Sequence, residues 1–224
     1  MTATMTPSLV PADLPDFLEG IIVVHGAMRR DAARLPRAVE AVRTTDGARA
    51  IQRWFVKFAR EVEHHHLRED DVVWPMLVER EAAFGDSLEE LEADHHALDA
   101  AMARVADALT ALVDDLATRV EAVEATAALG ALLADHLDRE EAVMFPAMAR
   151  VFTAESFEAL EAELLKATPK RLIAFELPFA FDGLPEQRVA DTLTELPALI
   201  RVLHRWVWQP AYDWLVAPLA AVSA

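Results

Sequence analysis

Two stretches of this chain carry the same arrangement of side chains able to bind a metal. Residues 65–75 read HHLREDDVVWP and residues 136–146 read HLDREEAVMFP, so His65/Glu69/Pro75 and His136/Glu140/Pro146 share one spacing. An imidazole and a carboxylate four residues apart on a helix lie on one face, roughly 6 Å apart, close enough to serve one metal centre. Two further histidines keep the same register. His25 precedes His65 by 40 residues and His95 precedes His136 by 41. The chain therefore reads as two copies of one helical hairpin, with His on the first arm and His-x-x-x-Glu on the second.

Helical periodicity sorts the eight histidines, which stand at 25, 64, 65, 66, 95, 96, 136 and 204. Steps of three and four residues trace one apolar seam through Leu14, Leu18, Ile21, His25, Met28, Ala32, Leu35 and Val39. A second runs Ile51, Phe55, Phe58, Val62, His65, Glu69, Val72, Met76. A third joins Leu88, Leu91, His95, Leu98, Met102, Val105, Leu109 and Leu112, and a fourth Leu129, Leu133, His136, Glu140, Val143 and Ala147. By the same count His64 falls with Trp54, Lys57, Glu61 and Arg68 on a largely solvated face. His66 falls with Ala59, Glu63, Asp70 and Val73 on a mixed flank, and His96 with Glu89, Glu92 and Asp99 outside. Four helices each send one histidine inward, and two add a carboxylate.

A lone inward histidine is more often a hydrogen-bonded core residue than a ligand, and a single His-x-x-x-Glu arises readily in charged helices. Two copies in register are different, because a buried carboxylate without a partner costs several kcal/mol. Four imidazoles and two carboxylates converging between helices are best explained by bound cations. Mixed nitrogen and oxygen ligation without sulfur suits iron, manganese or zinc, and six ligands exceed the usual four of structural zinc. Two carboxylates able to bridge favour two ions, with a bridging oxide or hydroxide reducing their charge. An open position there would admit O2, peroxide or NO. Glu61-x-x-His64 and Glu92-x-x-His95 have the spacing of a ferritin-like carboxylate site, but His64 faces outward and the other helices lack a matching Glu.

The elements that must position these residues are long helices. Punctuation places them at about 13–42, from a cap at Asp46 to about 84, from a Ser87/Glu90 capping box to about 114, and at 116–151. Short connections predict an all-α, antiparallel up-down-up-down four-helix bundle over residues 12–152. Residues 153–224 form an additional C-terminal helical region. It holds a helix at 153–167, a Pro- and Phe-rich stretch at 169–185 that reads as non-helical, and a final helical part at 186–222 broken by Pro197, Pro210 and Pro218. Its Trp206, Trp208, Tyr212 and Trp214 suit packing on the bundle or a homo-oligomer contact.

Composition narrows the function. The 224 residues include only six glycines and no cysteine, which excludes disulfides, thiolate metal sites and Cys nucleophiles and fits a reducing cytoplasm. Lys plus Arg number 21 against 38 Asp plus Glu, and the net charge of −17 argues against nucleic acid or anionic membranes as partners. The start, MTATMTPSLVPADLP, lacks the basic and apolar regions of a signal peptide. The region 198–224 is too interrupted by charge and proline for a membrane span.

His25, HHLRE (65–69), His95 and HLDRE (136–140) together resemble the HHE pattern of the hemerythrin-like cation-binding family, over about residues 12–152. The resemblance implies an antiparallel four-helix bundle around a non-haem di-iron centre that handles O2, peroxide or NO. Its implied ligands are His25, His65, Glu69, His95, His136 and Glu140, with Glu69 and Glu140 as bridges. Catalase-like turnover, an iron or oxygen sensor or store, and a metal-stapled structural protein all fit that family. One departure stands out. The oxygen-carrying members have five histidines, two of them four apart on the third helix, whereas this chain has Asp99 and Leu91 there. Solvent, Asp99, Glu92 or Tyr212 are candidates for the remaining position.

Overall fold

A chain dominated by Ala, Leu, Glu and Arg with six glycines has little to oppose helix formation. The computed structural model describes residues 10–220, and among them every regular element is helical. A short 3-10 turn, Asp16–Leu18, leads into α1 (Glu19–Glu40). α2 (Thr45–Arg68) passes through a π-helical turn, Glu69–Val73, into α3 (Trp74–Arg80). α4 (Gly85–Asp114) and α5 (Arg119–Val151) follow. Beyond them lie α6 (Ala154–Ala167), α7 (Lys170–Phe181), α8 (Glu186–Glu195) and α9 (Ala198–Leu203). A second π turn, His204–Trp208, joins α9 to α10 (Gln209–Ala220).

Packing closes α1, α2, α4 and α5 into a ring: α1 lies against α5, α5 against α4, α4 against α2, and α2 against α1. At one point α1 and α5 nearly touch. A Cβ on Gly130 would sit 3.2 Å from the Ala32 carbonyl oxygen, so glycine permits that approach. The interior divides into two apolar layers. The larger contains Met28, Leu35, Phe55, Phe58, Leu98, Val105, Leu129 and Leu133. The smaller, at the other end, contains Leu18, Trp74, Leu77, Leu91, Met144 and Met148. His25, His65, His66, Glu69, His95, His136 and Glu140 belong to neither layer and sit at their junction on the helices of the ring.

The C-terminal elements do not stand apart. Phe175 and Phe179 of α7 and Tyr212, Val216 and Leu219 of α10 join the larger apolar layer, and Phe179 meets Phe58 edge-on at 6.2 Å. Polar contacts fasten the same junction. Arg34 binds Asp31 at 3.1 Å and Asp182 at 3.0 Å, Arg30 donates to the Phe179 and Asp182 carbonyls, and the Tyr212 hydroxyl reaches Asp182 at 3.2 Å. Gly183, at φ +83°, takes the left-handed conformation that lets the chain turn there. α8 and α9 contrast with this, since neither buries a single side chain.

Several sequence expectations need correction. The stretch 169–185 is mostly helix, as α7, with Pro178 inside it. The break expected at Pro197 is present, between α8 and α9, and Pro169, Pro185 and Pro197 each stand immediately before a helix, where a fixed φ and a missing N–H suit the start. Pro210 and Pro218 both lie within α10. Thr44 caps α2, accepting from the Gly47 N–H at 3.1 Å, in place of Asp46. The turn Ala82–Phe84 runs directly into α4, so Ser87 lies inside the helix and forms no cap. Residues 1–9 and 221–224, and with them most of the N-terminal stretch read above for a signal peptide, lie outside the described residues.

Candidate metal centre

The layer between the two apolar clusters is where the paired motifs meet. His25, His65, Glu69 and Glu140 place one donor atom each within 4.8 Å of one another, and all four side chains are buried. His65 Nε2 lies 3.0 Å from His25 Nε2 and 2.9 Å from Glu69 Oε1. A second group adjoins the first: His66, His95 and His136, also buried and also within 4.8 Å. Glu69 Oε2 approaches His95 Nε2 at 3.8 Å and Glu140 Oε2 approaches His136 Nε2 at 3.6 Å, so both carboxylates reach from one group toward the other.

All six sequence candidates are therefore brought together. His66, which periodicity left on a mixed flank, joins them. It is buried, stacks on His95 with ring centroids 3.9 Å apart, and meets His136 at 5.4 Å. The cause is geometric. A helix in a ring of four has two neighbours, and adjacent residues point about 100° apart. His65 faces α1 while His66 faces α4. The seam also slips beyond Glu69. The π turn inserts a residue, so Val73 and Leu77 are buried where Val72 and Met76 were expected. His96 is exposed as expected, and Tyr212 is engaged with Asp182 away from this layer.

Three carboxylates outside the layer orient its imidazoles. His25 Nδ1–H donates to Glu141 at 2.9 Å and His95 Nδ1–H to Asp70 at 2.9 Å, while His136 Nδ1 faces Asp94 at 3.5 Å. A ring nitrogen that donates outward leaves the lone pair of Nε2 pointing inward, the form a metal requires. Arginines hold two of these carboxylates: Arg29 pairs with Glu141 and Arg139 with Asp94 at 2.7 Å. Asp70 has no such partner. It faces Glu92, Asp71, Asp99 and His96.

Electrostatics agree with a site built for cations. Burial pushes Glu69 up to about 8 and, with Glu69 beside it, drives Glu140 well above the usual carboxylate range. Burial pulls His65 and His95 down to about 3, His136 to about 4, and His66 well below its ordinary value. Among these side chains, Glu69 Oε2, both oxygens of Glu140, both nitrogens of His66 and of His136, and Nε2 of His95 have no hydrogen-bond partner. Buried polar atoms are almost always paired. Eight such atoms in one place fit a metal-ligand set. Aromatic rings flank the layer, Trp74 stacking on His95 at 4.5 Å and Phe145 on His25 at 5.9 Å.

The face of α2 that looked solvated is covered instead. Glu61 is fully buried with neither oxygen partnered, near Arg68 (4.0 Å), which itself binds Glu176 of α7 at 3.1 Å. Burial and the Glu176 charge push Glu61 up to about 8. Glu61 and His64 thus belong to the α2–α7 junction, and Glu92 is exposed, so the ferritin-like pairs do not converge.

The family description "Hemerythrin HHE cation binding domain" matches residues 16–148, more than half of the chain. No curated protein and no solved structure gives a significant match.

Proposed function

The chain belongs to the hemerythrin HHE cation-binding family, and from that premise we propose that it holds two iron ions and uses them to bind or react with O2, peroxide or NO. The observation that carries this reading is the pair of adjoining buried donor groups, five imidazoles and two carboxylates in all. Seven donors exceed what one ion accepts, and the two carboxylates reach toward both groups. His66 supplies the fifth imidazole from α2, where oxygen-carrying relatives use α4.

In this reading His25 and His65 would hold one ion and His66, His95 and His136 the other, with Glu69 and Glu140 available to both. Bound iron supplies redox chemistry and a coordination position for a small molecule. The chain's own groups do the rest. Glu141, Asp70 and Asp94 fix the imidazole orientations, and Trp74, Phe145 and the two apolar layers keep bulk water out. The reading also takes α1, α2, α4 and α5 as an up-down-up-down bundle over residues 12–152, which the short connections and the ring of contacts support. Residues 153–224 are then an extension that packs on it, with the exposed face of α9 available for self-association. Among the described residues no helix is long and apolar enough to cross a membrane. The absence of cysteine supports a cytoplasmic setting.

Metal analysis joined to optical spectroscopy tests the proposal. Protein purified with iron available should hold about two iron atoms per chain, and its near-ultraviolet absorption should change on adding peroxide. O2 release that the metal-free protein cannot match identifies turnover. A spectral change without turnover identifies a sensor or store. A single tightly held zinc, with no iron after reconstitution, would leave only the metal-staple reading.

A further inference from the structure

A cation bound for the buried layer has to cross the wall of the bundle, and the wall is not uniform. α7 and α10 cover α1 and α2. Ion pairs of Arg29 with Asp138 and Glu141 lie across α1 and α5, and Arg139 with Asp94 lies across α4 and α5. Between α2 and α4 the character changes. A cavity of about 260 Å³ opens there, lined by Asp70, Glu92, His95, His96 and Asp99.

Three carboxylates and two imidazoles make up that lining, and neither lysine nor arginine is among them. Unit charges of one sign 4 Å apart repel by about 1 kcal/mol even in bulk water, so such a grouping favours any cation that enters it. The acids alone would mean little. The inner wall is the decisive feature. His95 is only 5% exposed, its Nδ1 is held by Asp70 of the same cavity, and its Nε2 has no hydrogen-bond partner and belongs to the group with His66 and His136. One imidazole is thus shared between the cavity wall and the buried donors. Oxygen ligands with a single accessible imidazole, His96, suit a hydrated divalent ion of borderline character held weakly.

We propose that this cavity is a second, transient cation site, where Asp70, Glu92, Asp99 and His96 capture hydrated Fe2+ and deliver it past His95 to the buried centre. The proposal rests on the di-iron reading. Capture raises the local concentration of the ion and so the rate of loading, and leaves the final occupancy to the buried ligands.

The test uses metal-free full-length protein and Fe2+ under anaerobic conditions at low ionic strength, with uptake followed as loss of iron from a chromogenic chelator. A Glu92→Gln/Asp99→Asn variant should load at least fivefold more slowly than wild type and reach the same number of irons per chain. A control with the same change of charge at the other end of α4 and on α5, Asp114→Asn/Glu124→Gln, should load at close to the wild-type rate. Equal rates in all three proteins would overturn the capture role, and so would equal slowing by both variants, which would make the effect one of net charge. A lower final iron content in the cavity variant would also overturn it, by making these acids part of the buried centre. Failure of wild type itself to take up iron would refute the di-iron reading on which the proposal stands.

Discussion

His65 and His66 show how much one residue's direction decides. They are neighbours on α2, yet one faces His25 and the other stacks on His95. His66→Ala should therefore lose about one of the two irons, whereas His96→Ala, which removes an exposed ring, should keep both; metal content of the purified variants decides. Protonation gives a second test at this scale. Burial raises Glu69 to about 8 and pushes Glu140 in the same direction, which favours protonated carboxyls in the metal-free protein near neutral pH. The imidazoles, lowered to about 3 or 4 at His65, His95 and His136, are neutral there and have no protons to give up. Binding must then expel carboxyl protons, and apparent affinity should rise from pH 6 to pH 8. Calorimetry in two buffers of different ionisation enthalpy would count the protons. No dependence of the heat on buffer would contradict the account. The burial of the six candidate ligands on the seams was legible because each interrupts a long apolar stripe. His66 was not, because a single seam describes a helix with one neighbour and α2 has more than one.

At the scale of elements, the same arc of α2 explains Glu61. The sequence reads its face as solvated, since Lys57, Glu61, His64 and Arg68 share it. Nothing in α2 itself reveals that α7 will cover that face, and α7 was hidden because Pro169 and Pro178 suggested a loop. Glu61 is raised from 4.5 to about 8 by burial and Glu176. A carboxyl that is more basic when folded binds its proton more tightly than in the unfolded chain. Its contribution is complete below pH 4.5 and is lost as pH rises through about 8. Glu61→Gln should match wild-type stability near pH 5 and exceed it near pH 8, by on the order of a few kcal/mol. Urea unfolding at the two pH values measures the difference, and parallel curves for the two proteins would refute it. The π turn at Glu69–Val73 was equally hidden. Pro75 marks its neighbourhood, but Pro146 sits in α5 without any such turn. The repeat of motif is real, and the repeat of local backbone is not.

For the whole molecule, the extension does two things. α7 and α10 complete the core, while α8 and α9 stand outside it with no buried side chain. Helices of ten and six residues are marginal in water by themselves. α9 and the π turn after it also carry an apolar stripe, Leu199, Val202 and Trp206, exposed at 67%, 56% and 68%. Arg201 and Arg205 flank it, and self-association through this stripe, in the reading proposed above, would bury its apolar side chains against the net-charge repulsion of two copies at −17 each. Light scattering should find wild type as an oligomer and Val202→Asp/Trp206→Ser as a monomer with its iron retained. A monomeric wild type would remove that role.

The central claim is that two adjoining groups of buried ligands hold two ions, with His66 among the ligands. Anomalous diffraction at the iron edge from crystals of iron-loaded protein tests it most directly. The account predicts two iron peaks per chain, roughly 3.5–4 Å apart, one beside His25 and His65, the other beside His66, His95 and His136. Glu69 and Glu140 should lie within bonding distance of both peaks. A single peak, or a pair from which the His66 ring is turned away, would contradict it.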